Sequence, residues 1–305
     1  MKRNVIQLAG KTLVISLPAR WTKLNNIKKG DELDIQEEGN KLSVHTNLNK
    51  INSKETSINI QGMTNRTINW TLSALYKKGY DIIEAFYDST QIDYISNLIK
   101  NSFIGYAIVD QTPKKIIIKG ISQDILEEYK PVLRRAFLVT ISMGQETISA
   151  LKNKEFEKLN EIKEKEKINN QLTNFCQRII NKKQPFKEEF NTLNYIISWN
   201  LEKIADEYRY ICEFFYNKKP EISEKTFLLF EETNKLLEEY YTINFKFNLN
   251  DLNELSIKKN QLEEELKNYI YSNTHANVLI ASHLLKIVLK CSDFSTTLTA
   301  LNQDF

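Results

Sequence analysis

The sequence predicts a multidomain α+β chain in three parts: a short strand-rich opening, a small α/β unit and a long all-helical remainder. Three observations carry this expectation. The chain has 305 residues, beyond the size at which a single hydrophobic core usually keeps growing. Apolar residues alternate with polar ones through much of the first fifty positions, the period of a half-buried strand. From residue 123 onward they recur at spacings of three and four, and only Pro131, Pro185 and Pro220 interrupt them. A hydrophobic share of 41% and a charged share of 27% are those of a globular chain and exclude a disordered or fibrous one. No run reaches the roughly 18 consecutive apolar residues of a membrane helix, and no signal-like apolar core opens the chain, so a cytoplasmic protein without membrane insertion is expected.

The opening, residues 1–48, reads as four short strands and one short helix. Val5, Ile6 and Leu8 lead into Gly10, and Leu13, Ile15 and Leu17 then alternate with Thr12, Val14 and Ser16, as in a strand with one well-buried face. Pro18 stops that strand and suits the first turn of a helix, so Pro18 to Leu24 form about two turns with Ser16 or Leu17 near the cap. Lys29-Gly30-Asp31 turns the chain, Leu33 and Ile35 mark a third strand, Glu38-Gly39-Asn40 a hairpin turn, and Leu42 and Val44 the return strand. So short a module with so few apolar side chains cannot bury enough surface alone, and it should dimerise. Its charge is one-sided: Lys2, Arg3, Lys11, Arg20, Lys23, Lys28 and Lys29 precede the first acid, Asp31. On charge alone, a solvated basic surface and a phosphate-binding one are both open.

The second part, residues 52–122, alternates strand and helix in the order βαβαββ. Ile58 to Ile60 form a strand, and Ile68, Leu72, Leu75 and Tyr76 the buried stripe of a helix ending at Lys77-Lys78-Gly79. Ile82 to Phe86 form the next strand and Ile92, Ile95, Leu98 and Ile99 the second helical stripe. A hairpin, Gly105–Asp110 with Ile116–Gly120, closes the unit. It carries no histidine, no Gly-rich phosphate cradle and no carboxylate cluster with a base, so it reads as a sheet-based dimerisation or small-ligand domain, and the chain as a non-enzyme.

The third part, residues 123–305, should hold six helices, near 124–152, 155–182, 187–217, 221–244, 250–272 and 275–301, as two three-helix bundles joined near 218–220. Ile197, Leu201, Ile204, Tyr208, Ile211 and Phe215 alternate spacings of four and three and mark a core stripe. Glu202 and Asp206 stand four apart on one helical face. The run EFEKLNEIKEKEKINN alternates in sign and reads as an exposed helical face. His45, His275 and His283 are isolated, and Cys176, Cys212 and Cys291 lack the close pairing of a zinc or redox motif, so they read as small buried apolar residues.

The segment VIQLAGKTLVISLPARWTKLNNIKKGDELDIQEEGNKLSV resembles the AbrB/SpoVT domain along its whole length. The resemblance implies a swapped-hairpin β-barrel in which two chains interleave, with Lys2, Arg3, Lys11, Arg20 and Lys23 contacting DNA and Trp21 in the core or dimer interface. LNYIISWNLEKIADEYRYICEF and HLLKIVLKCSDFSTTL look like the two copies of the signature helix of PhoU proteins, and the GYAIVDQT hairpin looks like the middle portion of archaeal PhoU-related proteins. Together these resemblances imply an archaeal PhoU-family phosphate-uptake regulator with an AbrB-like DNA-binding domain. PhoU bundles can hold divalent or iron-type ions on Glu-x-x-x-Asp pairs, which points to Glu202, Asp206 and Asp293 here. This sequence departs from that pattern, with Leu289 in place of the partner acid and Asn169 and Asn170 following Glu166 where an acid is wanted. The alternative pairs Glu202 with a lysine and lets Asp206 cap or hydrogen-bond within the bundle.

The resulting expectation is a homodimeric DNA-binding regulator of phosphate homeostasis whose bundles sense a signal or dock a transport ATPase or sensor kinase. The alternative is a cytosolic adaptor regulating such a partner by contact, with the opening serving only as a dimer clamp.

Overall fold

The fold is seen in a computed structural model that describes residues 2–8, 10–39, 41–46, 53–121, 128–183 and 188–302. The expected helix start near 124, Pro185, Asn40 of the hairpin turn, the side chain of His45 and the joins at 48–52 and 122–123 lie outside the described residues. Two compact units follow one another, Met1–Ser53 and Lys54–Phe305.

In the first unit, β1 (Ile6–Leu8) pairs antiparallel with β2 (Thr12–Val14), and β3 (Leu33–Glu38) with β4 (Lys41–Thr46). Gly10, at φ +79, turns the first hairpin, and the Gln7 amide donates to its carbonyl at 2.9 Å. Between the hairpins lies α1 (Ala19–Leu24), with Pro18 itself at the cap rather than Ser16 or Leu17. Pro18 takes that place because its extended backbone, ψ 126, leaves its carbonyl free to accept from the Thr22 N–H at 3.0 Å. Asp31, the first acid, is spent locally: its Oδ2 accepts from the Lys28 N–H at 2.7 Å.

One expectation for this unit needs correction. The second strand ends at Val14, short of Leu17, and its apolar face is not buried, Leu13 being 70% and Ile15 59% exposed. Within one chain the hairpins form two separate two-stranded sheets. A two-stranded sheet has no second layer to cover its apolar side, so its side chains stay in water until something packs on them.

The second unit begins with a four-stranded sheet in the order β5-β6-β8-β7, built from β5 (Glu55–Asn59), β6 (Ile82–Phe86), β7 (Tyr106–Thr112) and β8 (Lys115–Gly120). β5 and β6 are parallel, and the other pairs are antiparallel. Ile83, Ala85, Ile116 and Ile118 are fully buried, while the alternate positions Ile82, Glu84, Ile117 and Lys119 keep some exposure. This single-sided burial fits a sheet whose helices lie on one face. α2 (Asn65–Lys77) starts where the Thr64 hydroxyl accepts from the Thr67 N–H and stops at Gly79, whose φ of +81 favours glycine. α3 (Ile92–Ser102) follows a 3-10 turn held by a capping box between Asp88 and Gln91.

The rest is helical: α4 (Tyr129–Lys152), α5 (Lys158–Lys183), α6 (Glu188–Lys218), α7 (Glu224–Phe245), α8 (Leu249–Ser272) and α9 (His275–Asn302). α4, α5 and α6 pack together as one three-helix bundle and α7, α8 and α9 as another, and the two meet along α6–α9 and α4–α7. Pro131 sits in the first turn of α4, where its missing N–H costs no helical bond. The helical run breaks at Lys219, φ +46, before Pro220. All six residues of the α6 stripe, Ile197 through Phe215, are at most 1% exposed.

α5 fastens the sheet to the bundles. Arg178 donates from Nη1 to the carbonyls of Tyr76 and Tyr80, each at 2.9 Å, and from Nη2 to Asp81 Oδ1 at 2.8 Å. Its guanidinium lies 5.2 Å from the Tyr76 ring centre and 4.8 Å from that of Tyr106. Lys182 also pairs with Asp81, and the Asn181 amide donates to the Lys77 carbonyl. Carbonyls at the end of α2 thus gain donors from side chains of α5, Tyr76 in addition to its bond from the Gly79 N–H.

Burial alone would raise the Asp81 pKa, but hydrogen bonds from Lys182 and the Lys54 N–H and the charges of Lys182 and Arg178 outweigh it and hold the carboxyl below the usual range. A depressed carboxyl stabilises the fold above its unfolded-state pKa, about 3.9, and that contribution is lost as pH falls through the folded value. Acid titration of unfolding should therefore show a flatter loss of stability below about pH 4 in Asp81→Asn than in the parent. An unchanged slope would contradict this role.

Candidate nucleic-acid interface and charged face of the helices

The five cations marked in the opening, Lys2, Arg3, Lys11, Arg20 and Lys23, are all exposed, and none makes an ion pair among the described residues. Lys11 lies in the β1–β2 turn, and Arg20 and Lys23 on α1. No acid precedes Asp31, and Asp31 is bound to its own turn. Beside them, Val5, Ile6, Leu8, Leu24, Ile35 and Leu42 are more than half exposed. Trp21 is only half-buried. Unpaired cations and uncovered apolar side chains therefore occupy the same small unit.

The carboxylates marked on the helices have a different setting. Glu202 Oε1 lies 3.2 Å from Lys203 Nζ, Glu202 Oε2 lies 3.7 Å from Lys77 Nζ, and Asp206 Oδ2 lies 3.1 Å from Lys203 Nζ. Arg209 adds contacts of 3.7 Å to Asp206 and 3.9 Å to Glu166. Burial, with the nearby charges of Asp206 and Glu202 against that of Arg209, raises the Glu166 pKa. Burial works against the charged form of Lys203 too, yet Glu202 and Asp206 carry its pKa upward.

Whether this set fits a metal can be judged from its donors. Asn170 Oδ1 and Glu202 Oε2 are buried oxygens without a hydrogen bond, as a cation ligand would be. Three carboxylates, however, already face three cationic side chains, Lys77, Lys203 and Arg209, so a dication would meet no net negative charge. Asp293 is exposed on α9, and no group of three or more His, Cys, Asp or Glu among the described residues could hold a metal ion. The residues do not fit a metal cluster.

One charged contact was not legible beforehand. Glu207, 9% exposed, accepts from His283 Nδ1 at 2.7 Å and sits 3.3 Å from Lys290 and 3.7 Å from Lys286, binding α6 to α9. Burial opposes its ionisation, but the His283 hydrogen bond and the lysine charges keep its pKa low. Adjacent acids at 206 and 207 were the available signal, since neighbouring residues on a helix face different partners. The three thiols are buried and burial raises their pKa, that of Cys212 to about 11, which suits inert core positions.

Residues 6–44 match the family described as "Antidote-toxin recognition MazE, bacterial antitoxin", which makes the opening a MazE/AbrB-like domain. The match covers far less than half of the chain and stops short of the four-stranded sheet and of α2 to α9. No curated protein and no solved structure matches the chain. No helix among the described residues is long and apolar enough to cross a membrane.

Proposed function

We propose that the chain is a homodimeric, DNA-binding transcriptional regulator without catalytic activity, in which the helical bundles sense a signal or dock a partner. The observation that carries this reading is the opening unit, where a MazE/AbrB-like segment leaves five cations without an ion pair among the described residues and many of its apolar residues exposed. A second copy would bury the apolar side chains and bring two sets of Lys2, Arg3, Lys11, Arg20 and Lys23 onto one polyanion. Those residues would set affinity and salt dependence through phosphate contacts, while DNA shape would contribute the selectivity. The bundles would act by changing the relative placement or exposure of the two hairpin modules.

The phosphate-homeostasis part of the proposal, with a cytoplasmic phosphate-transport ATPase or sensor kinase as partner, rests on the likeness of the α6 and α9 segments to PhoU helices. A second reading is favoured by the matched family's description, which concerns recognition between proteins. In it the opening is a dimer clamp and the chain is an adaptor or antidote that works by protein contact.

Electrophoretic shift of the full chain with its own upstream DNA, at 50 and 200 mM salt, separates the readings. With six to ten phosphates engaged, affinity should fall on the order of a thousandfold or more between those salts. Lys11→Glu with Arg20→Glu should abolish retention while leaving the dimer intact in sedimentation. A dimer that retains no DNA at low salt supports the clamp, and a monomer without retention removes both readings.

A further inference from the structure

A cavity of about 650 Å³ opens where α4 and α6 begin and α7 and α9 end, so both bundles contribute to its wall. Its apolar lining includes Leu133, Phe245, Phe247 and Leu301. Among the described residues, its charged lining residues are Lys130 and Arg134, with no Asp or Glu. Arg134 is held in place: its guanidinium lies 4.2 Å from the Phe245 ring centre, and Nη1 donates to the Tyr241 hydroxyl at 3.0 Å. Lys130 is exposed and has no ion-pair partner among the described residues.

The volume falls within the range of small-molecule sites, roughly 300–1,000 Å³. The C-termini of α7 and α9 each bring about half a negative charge to this end, and the N-termini of α4 and α6 each about half a positive one. The helix ends cancel, and among the described residues two full cations remain, so an anionic group is favoured at the rim and an apolar body inside. We propose that this cavity is a binding site for a small organic anion, a carboxylate carried on an apolar chain or ring. Binding would bring the carboxylate to Lys130 and Arg134 and the apolar part to Phe245, Phe247 and Leu301. Because the walls come from both bundles, occupancy would favour one arrangement of the two. This inference does not depend on DNA binding by the opening unit.

Isothermal titration of the full-length protein with octanoate, and in parallel with 1-octanol, tests it. Octanoate should bind saturably with one site per chain, and octanol at least about tenfold more weakly. Lys130→Glu, a change at an exposed residue, should weaken octanoate by about tenfold with an unchanged melting temperature. Leu301→Trp, which fills the cavity from a half-buried position, should remove binding. Absence of saturable binding, equal affinity for octanol, or binding indifferent to both substitutions would overturn the proposal.

Discussion

Replacing Arg178 with methionine is expected to destabilise the second unit by about 3–5 kcal/mol, the cost of removing one partner from a buried ion pair. Methionine keeps the aliphatic stem, so packing changes least and the loss reports on the guanidinium. Asp81, 14% exposed, would keep only Lys182 as a charged partner among the described residues, and the Tyr76 and Tyr80 carbonyls would each lose one donor, keeping the Gly79 N–H and the Tyr106 hydroxyl respectively. Contacts with the faces of Tyr76 and Tyr106 would vanish with it. For a body of this size the melting temperature should drop on the order of 10 °C. Pairing the change with Asp81→Leu should cost less than the sum of the two, since the stranded carboxylate is then gone. A drop of only a degree or two in Arg178→Met would show that the joint between sheet and helices does not depend on this residue.

Gly144→Ala should be nearly as damaging, although alanine is the better helix former. A Cβ at 144 would stand 2.5 Å from Asn234 Oδ1 and 2.8 Å from Tyr208 Cζ, closer than real contacts allow. Those two groups share a buried hydrogen bond of 2.7 Å between the Tyr208 hydroxyl and Asn234. Overpacking costs about 1–3 kcal/mol and a broken buried hydrogen bond about 1–3 more. Helix propensity returns only about 1 kcal/mol, so the net loss should be about 2–4 kcal/mol by denaturant titration. In a Tyr208→Leu, Asn234→Ala background the same substitution should be far milder, because the Tyr208 Cζ and hydroxyl and the Asn234 Oδ1 that it strikes are absent. Equal damage in both backgrounds would locate the strain elsewhere.

The helices were legible in the sequence because their cores follow one simple period. Ile197 to Phe215 could be read as a buried stripe, and breaks fell where Pro220 and the glycine after Lys78 demand them. The βαβαββ order was equally open to reading, because alternation and turn residues change together at Gly79 and Thr112. The opening was less so. Alternation at Leu13 and Ile15 marks an apolar face, but whether one chain can cover that face depends on a second layer that local pattern does not encode.

The charged sites show the same limit. Asp81 and Arg178 are 97 positions apart, and Glu207 and His283 are 76 apart, so no spacing rule links them. The grouping of Glu202, Asp206 and Asp293 came from a helix pattern, and that pattern left out the surrounding Lys77, Lys203 and Arg209. The cavity beside Arg134 was invisible for a related reason: its wall is assembled from the ends of four helices.

The close approach of Gly79 to Lys182 has a mechanical consequence. A Cβ at 79 would stand 2.8 Å from that of Lys182, so α2 and α5 touch almost backbone to side-chain root, without the long side chains that let helices slide. Pushing α5 along its axis must carry the whole sheet with it, like a handle on a plate. Compliance is left to the α6–α9 seam, where one carboxylate gathers a histidine and two flexible lysines that can follow a shift without letting go.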